Sequence, residues 1–371
     1  MALTGPLFLI VVALVAVVAG ALLVVGWPRS TRRAHGMLAR GAQVLSLIVA
    51  VVALLGVILN DRYLFYPTWP DLFGQGAPAV QSHYGGSIAD LATRPTPGPG
   101  LAHVVAPATL PPLPDPHTRL QRYDVADPSS GARIPVLVYL PQGYDPASPH
   151  TYPVIEGLHG YPGVPDSFRV LNFLSTADQL TAEHRLAPSI FVIPTIDMPA
   201  KLDTECVDGR PGQPQVESWL ASVVPAWTVH HFRVQTERMS WATLGYSYGG
   251  WCAAALSMRH PDVYGAAVVF EGYFRPDFSP TYDPLSPAAK VGFDLVRMAK
   301  DDPPPVAVWV MTSRGDAESW GTTGPFLGAA ASPLDVTSLV VPQGGHSNLV
   351  FGRFVSPALE WLAQTLPGFR A

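Results

Sequence analysis

Gly245-Tyr246-Ser247-Tyr248-Gly249 is a G-x-S-x-G pentapeptide that follows the apolar run Met239–Leu244 and precedes the helix-like run Trp251–Met258. In a strand, tight turn, helix order, such a serine forms a nucleophile elbow. Glycines stand where a Cβ would clash, and the hydroxyl is lifted to the carboxyl edge of a sheet. Small residues also cluster by chance in a chain with 33 glycines, so the flanking strand and helix carry the weight of this reading.

A serine hydroxyl is a weak nucleophile until a base takes its proton and an acid orients that base. Val306–Thr312 reads as a buried strand running into Ser313-Arg314-Gly315-Asp316-Ala317-Glu318. Ser338–Val341 reads as a shorter one running into Pro342-Gln343-Gly344-Gly345-His346. Asp316 and His346 therefore stand just beyond strand ends, in the order Ser, acid, His that an α/β-hydrolase sheet requires. Glu318 is the rival acid, and Asp316 is preferred because it is nearer the strand end. Asp316 can also be read simply as the cap of a helix beginning at Ala317. His230 and His231, beside Phe232 and Arg233, read as ordinary surface or core groups.

Acyl chemistry further needs two N–H donors aimed at the developing oxyanion. Tyr152–Leu158 reads as a strand, and His159-Gly160-Tyr161-Pro162-Gly163 follows it. The N–H of Tyr161 is the first expected donor and that of Tyr248 the second. Pro162 has no N–H to offer, and His159 is expected to orient the loop.

These groups need a scaffold. Arg119–Val125 and Arg133–Leu140 alternate like a hairpin around Ser129-Ser130-Gly131. Beyond Tyr152–Leu158 come a helix near Phe168–Leu180, a strand Ser189–Ile196 and a loop Asp197–Gln213. A helix from about Gln215 to His230, a strand Ala266–Phe270 and a last helix near Phe354–Thr365 complete the alternation. Alternating strand and helix predict an α/β fold whose mostly parallel sheet is covered on both faces.

From about Arg119 to Leu366 the chain resembles the esterase family that includes esterase D, enterochelin esterases and the secreted mycolyltransferases. The resemblance lies in Val138-Tyr139-Leu140-Pro141-Gln142-Gly143-Tyr144-Asp145, in Tyr152-Pro153-Val154 through His159-Gly160, and in Val223-Val224-Pro225-Ala226-Trp227. It continues in Gly245–Gly250 and in Arg259-His260-Pro261-Asp262. It implies an α/β-hydrolase fold and a Ser/acid/His triad acting on esters, with Ser247, His346 and Asp316 in the catalytic roles. The His159–Gly163 loop is esterase-like and departs from the mycolyltransferase pattern.

Location is the other strong signal. Leu7–Val25 and Ala42–Leu59 are uncharged apolar runs, each close to the ~20 residues that cross a bilayer as a helix. Arg29, Arg32, Arg33 and Arg40 lie between them, which puts the connection in the cytoplasm and everything after Leu59 outside. A cleaved signal peptide fits less well, because no basic region precedes Leu7. Thr31-Arg32-Arg33 faintly matches a twin-arginine signal, but a complete span stands upstream of it. Trp27, Tyr63, Phe65, Tyr66 and Trp69 read either as interfacial anchors or as a locally packed loop.

The expected organisation is a two-span membrane anchor (1–60), a juxtamembrane and proline-rich linker or strap (61–117), and a hydrolase domain (118–371). Within the linker, Thr93–Thr118 holds PTPGPG and PPLPDP, which resist helix and sheet pairing. Net charge is only −5 and 14% of residues are charged, so no basic face for nucleic acid is present. The two cysteines, Cys206 and Cys252, both fall after Leu59. An oxidising compartment permits a disulfide between them, and two unpaired small hydrophobes is the other reading. Asp203, Glu205 and Asp208 carry the right atoms for Ca²⁺, but surface loops are commonly acidic, and no metal or cofactor is expected. The expected function is a membrane-tethered, extracytoplasmic serine esterase whose partner is an acyl-ester substrate, with a lipid ester among the candidates. The alternatives are an envelope acyltransferase passing the acyl group to a lipid or sugar hydroxyl, and a catalytically silent binding module.

Overall fold

The computed structural model describes residues 3–30, 36–63, 66, 69–73, 79–198, 202–342 and 344–371. Arg32, Arg33 and Phe65, singled out above, lie outside the described residues. The chain divides into two compact units, one of residues 1–78 with 342–350, the other of residues 79–341 with 351–371.

In the first unit, α1 (Pro6–Ser30) and α2 (Gly36–Tyr63) run longer than their apolar runs. Within them, Pro6–Trp27 and Gly36–Asp61 have mean hydropathies of 3.3 and 2.8 and are long and apolar enough to cross a membrane. Almost none of either stretch is buried, which a core helix of a globular domain would not tolerate. Ala16 and Ala50 are exceptions, and Gly20 faces Leu47, so small residues bring the two helices together. At the connecting end the Arg40 guanidinium lies 4.8 Å from the Trp27 ring centre. At the other end the Trp69 ring meets Phe8 edge-on at 5.8 Å, and Tyr66 exchanges two hydrogen bonds with the Asn60 side chain. Both of these aromatics are locally packed and yet partly exposed.

The second unit is built on nine strands: β1 (Val80–Gly85), β2 (Leu120–Ala126), β3 (Arg133–Tyr139), β4 (Val154–Leu158), β5 (Ile190–Pro194), β6 (Trp241–Tyr246), β7 (Ala266–Phe270), β8 (Ala307–Ser313) and β9 (Asp335–Val341). Their order across the sheet is β1-β9-β8-β7-β6-β4-β5-β3-β2. The six strands from β9 to β5 are parallel, while β1, β3 and β2 are antiparallel additions. Every residue of β4 to β8 is buried, the pattern of strands covered by helices on both faces.

Two expectations need correction. The boundary at residue 118 falls too late, because β1 pairs in register with β9, Val80 opposite Val340 through Gly85 opposite Asp335. The proline-rich stretch is a strap fixed to this unit: Leu101 and Leu110 are buried, and the Gly100 N–H donates to the Asp262 carboxylate. Proline keeps that stretch out of the sheet, but anchoring a strap needs only occasional buried leucines. The strand before the elbow begins at Trp241, because Arg238–Ser240 forms a 3₁₀ turn.

Glu156 sits in the middle of β4, wholly buried. Its Oε2 is 2.6 Å from the Tyr264 hydroxyl, which is also 3.0 Å from the Leu220 carbonyl oxygen. A tyrosine has one hydrogen and a carbonyl can only accept. The hydroxyl therefore donates to Leu220, and the carboxyl must keep its proton and donate to Tyr264. Burial agrees, pushing Glu156 up from 4.5 to about 8. The native chain thus holds a proton there that the unfolded chain releases above about 4.5. Stability from this group is complete below that value and falls as pH rises towards about 8. Glu156→Gln cannot ionise, so whatever its absolute stability, its Tm should fall less than the wild type's between pH 5 and pH 8.5, the limits being approximate. Parallel Tm profiles would show that Glu156 does not titrate on unfolding.

Candidate active site

Ser247 links β6 to the helix Tyr248–Arg259 with φ 57° and ψ −130°, a conformation that costs a residue with a Cβ on the order of 1–3 kcal/mol. Its N–H donates to the Phe270 carbonyl at 2.8 Å, and its own carbonyl accepts from Gly250 and Trp251 at 2.8 and 3.1 Å. Glycine at 245 and 249 is what lets the elbow close: a Cβ on Gly245 would overlap the Gly249 carbonyl, and one on Gly249 the Leu158 carbonyl. The strand, turn and helix expected around the pentapeptide are therefore present, with the serine at the carboxyl edge of the sheet.

The loop after β4 is held by His159. Its Nδ1 is 2.8 Å from the Gly160 carbonyl, and its Nε2 is 3.3 Å from the Ile196 N–H. The carbonyl can only accept and the amide only donate, so the ring is neutral with its hydrogen on Nδ1. Burial also lowers its affinity for a second proton. Asp197 stands 3.9 Å from Nε2, too far to outweigh that amide. With both nitrogens occupied, His159 orients the loop, as the sequence suggested. Gly160 packs against the serine, for a Cβ built on it would lie 3.5 Å from Ser247 Cβ. Next to it the Tyr161 ring rests 5.8 Å from that of Tyr248.

Tyr248 is buried and doubly held. The Cys206 N–H donates to its hydroxyl at 3.2 Å, and Thr204 Oγ1 is 3.1 Å away. Cys206 and Cys252 are joined by a disulfide, so this loop is tied to the helix that begins at Tyr248. The three acidic groups of the loop are engaged with the protein. Asp208 accepts from the Ser218 N–H and hydroxyl, Asp203 accepts from the Glu205 N–H, and Glu205 accepts from the Tyr273 hydroxyl. Burial pushes Glu205 up to about 8.

Asp316 lies three residues beyond the end of β8 and is buried, whereas Glu318 points outward and is exposed. Its Oδ1 accepts from the Glu318 and Ser319 N–H groups, so it caps the helix Ala317–Ala329. The capping role and a role towards a histidine do not compete, since the cap uses one oxygen. Glu271, which sequence reasoning missed, sits just after β7 on the neighbouring strand. It is fully buried at φ 43°, and its N–H donates to Met311 of β8. Burial and then the charge of Asp316 push its carboxyl up to about 9. Glu271 is therefore held towards its protonated form beside Asp316. The signal was available as an acid directly following a buried strand, the same signal that marked Asp316.

His346 belongs to the segment Pro342–Val350 of the other compact unit. It follows Gly344 and Gly345, and beyond it the Val350 N–H closes a turn onto the Ser347 carbonyl at 3.0 Å. Its assignment rests on chain order, a few residues past the end of β9. His231 bonds the Trp227 carbonyl through Nδ1 and packs on that ring, an ordinary structural histidine.

Residues 128–360 match the family model described as "Putative esterase". An uncharacterized protein of Corynebacterium glutamicum is 27% identical over 248 residues, 61% of this chain and 56% of that protein. The chain thus spans little more than half the length of this curated relative. Among solved structures, a ferulic acid esterase is similar with a TM-score of 0.54 at 18% identity, over 67% of this chain and 98% of that one. An S-formylglutathione hydrolase from Agrobacterium tumefaciens has a TM-score of 0.52 at 18% identity, over 68% and 98%. The fluorophosphonate-binding serine hydrolase F of Staphylococcus aureus has a TM-score of 0.52 at 15% identity, over 66% and 97%. At these identities the likeness establishes the α/β-hydrolase fold.

Proposed function

The chain belongs to the esterase family whose model it matches over residues 128–360, and we propose that it is a serine esterase tethered outside the cytoplasmic membrane by α1 and α2. The observation that carries the catalytic half is Ser247, held at a strained φ between a buried strand and a helix, with Asp316 buried beyond a strand two places along the sheet. His346 takes the Ser247 proton as Oγ attacks the acyl carbonyl. The N–H groups of Tyr161 and Tyr248 receive the oxyanion, and His346, oriented by Asp316, then protonates the departing alkoxide. Water attacks the resulting acyl-enzyme by the same route in reverse, releasing the carboxylic acid. Loss of ester turnover on replacing Ser247 tests this half.

The tethering half rests on two exposed apolar helices that enclose arginines. The bias against translocating arginine keeps Arg29–Arg40 inside and puts residues after Leu59 outside. The buried Cys206–Cys252 bridge supports the same orientation, because disulfides persist in oxidising compartments. Reporters active only outside the membrane should work when fused beyond Leu59 and fail when fused near His35. The reverse pattern would invert the topology and direct the enzyme to a cytoplasmic substrate.

A further inference from the structure

A cleft of about 870 Å³ opens at the carboxyl edge of the sheet, away from the acid. Its position follows from the register. Val136 of β3 pairs with Pro194, the last residue of β5, and Asp124 of β2 pairs with Pro135. The cleft therefore lies beyond β5, β3 and β2, on the edge where Ser247 leaves β6. Its lining is mainly hydrocarbon, from Leu137, Pro162, Val164 and Pro165 among others. Asp124 and Asp197 stand among its polar lining, and Arg122 binds Asp166 with both nitrogens, at 2.8 and 2.7 Å. Val164 is 57% exposed, an apolar side chain left open to whatever enters.

One loop borders both the cleft and the nucleophile. Gly160 packs on Ser247, and Pro162 and Gly163 line the cleft. Two strand spacings separate β6 from β5, so the cleft begins on the order of 10 Å from the serine. The strand order then sorts the arms of a bound ester. The leaving oxygen must face the group that protonates it, and the acid and base of the proposed triad follow β8 and β9, on one side of β6. The oxyanion faces the Tyr161 and Tyr248 N–H groups. The acyl chain is left to run the other way, over β4 towards β5 and β3.

We propose that this cleft holds the acyl chain of the substrate, a hydrocarbon chain long enough to span the gap from Ser247, about eight carbons or more. This rests on the serine-esterase reading. The test uses the purified full chain in detergent, with 4-nitrophenyl acetate and decanoate to vary the acyl arm and ethyl and decyl acetate to vary the alcohol arm. Val164→Trp should lower the decanoate-to-acetate ratio of kcat/KM about tenfold or more, as blocking an apolar pocket does, while leaving the decyl-to-ethyl ratio within about twofold. Val170→Trp is the control, since Val170 is 76% exposed and does not line the cleft. It should change neither ratio. An unchanged acyl ratio in Val164→Trp would overturn the proposal, and so would a fall confined to the alcohol ratio, which would give the cleft to the leaving group. A wild type that turns over none of the four esters would overturn the esterase reading itself.

Discussion

Ser247→Ala should abolish labelling by a fluorophosphonate and lower kcat for ester hydrolysis by on the order of 10⁴ or more. The size follows from how such a site works. Losing the nucleophile removes the covalent route whole, and what remains is water attack assisted by the oxyanion donors. The substitution itself is mild, because the elbow is held by backbone contacts of residue 247 to Phe270, Gly250 and Trp251. A folded but inactive protein is the expected result. Undiminished labelling of the variant would move the nucleophile elsewhere.

Asp316→Asn should lower kcat by ~10³ to 10⁴, while Glu318→Gln changes it little. An amide at 316 can still accept the N–H bonds of Glu318 and Ser319 that cap the helix, so the cap survives. What fails, in the proposed triad, is the carboxylate charge that would hold the His346 tautomer and steady its imidazolium. Glu318 is exposed on the first turn of that helix and has no such duty in the proposed triad. Glu271 makes the comparison sharper. Burial is the larger cause of its raised proton affinity and persists when Asp316 loses its charge, so Glu271 is a poor substitute for the missing charge. A large loss in Glu318→Gln with little in Asp316→Asn would reverse the assignment.

The sequence was most legible where backbone geometry dictates residue type. The elbow needs glycines at fixed places and a strand before it, and both were readable around Ser247. The parallel core was readable too, because strands such as Ala266–Phe270 and Val306–Thr312 must be apolar on both faces. Pairings contributed from far along the chain were harder to see. Val80–Gly85 is short, polar and mostly exposed, with none of the apolar alternation that marks a strand, and it becomes one only because β9 offers an open edge. The stretch between residues 94 and 117 is legible as a linker or strap, but its attachment to the hydrolase unit is not. Its prolines announced what it does not form, while the few leucines that anchor it gave no periodic signal. Glu271 gives the same positional signal as Asp316, but burial and a second carboxylate decide its protonation, and neither can be read from one position.

The most direct test of the central claim is to quench the full chain during turnover of a 4-nitrophenyl ester and map the acyl adduct by peptide mass spectrometry. One acyl group is expected, carried by Ser247 and absent from the Ser247→Ala protein. An adduct on another residue, or steady turnover by the Ser247→Ala protein, would contradict it.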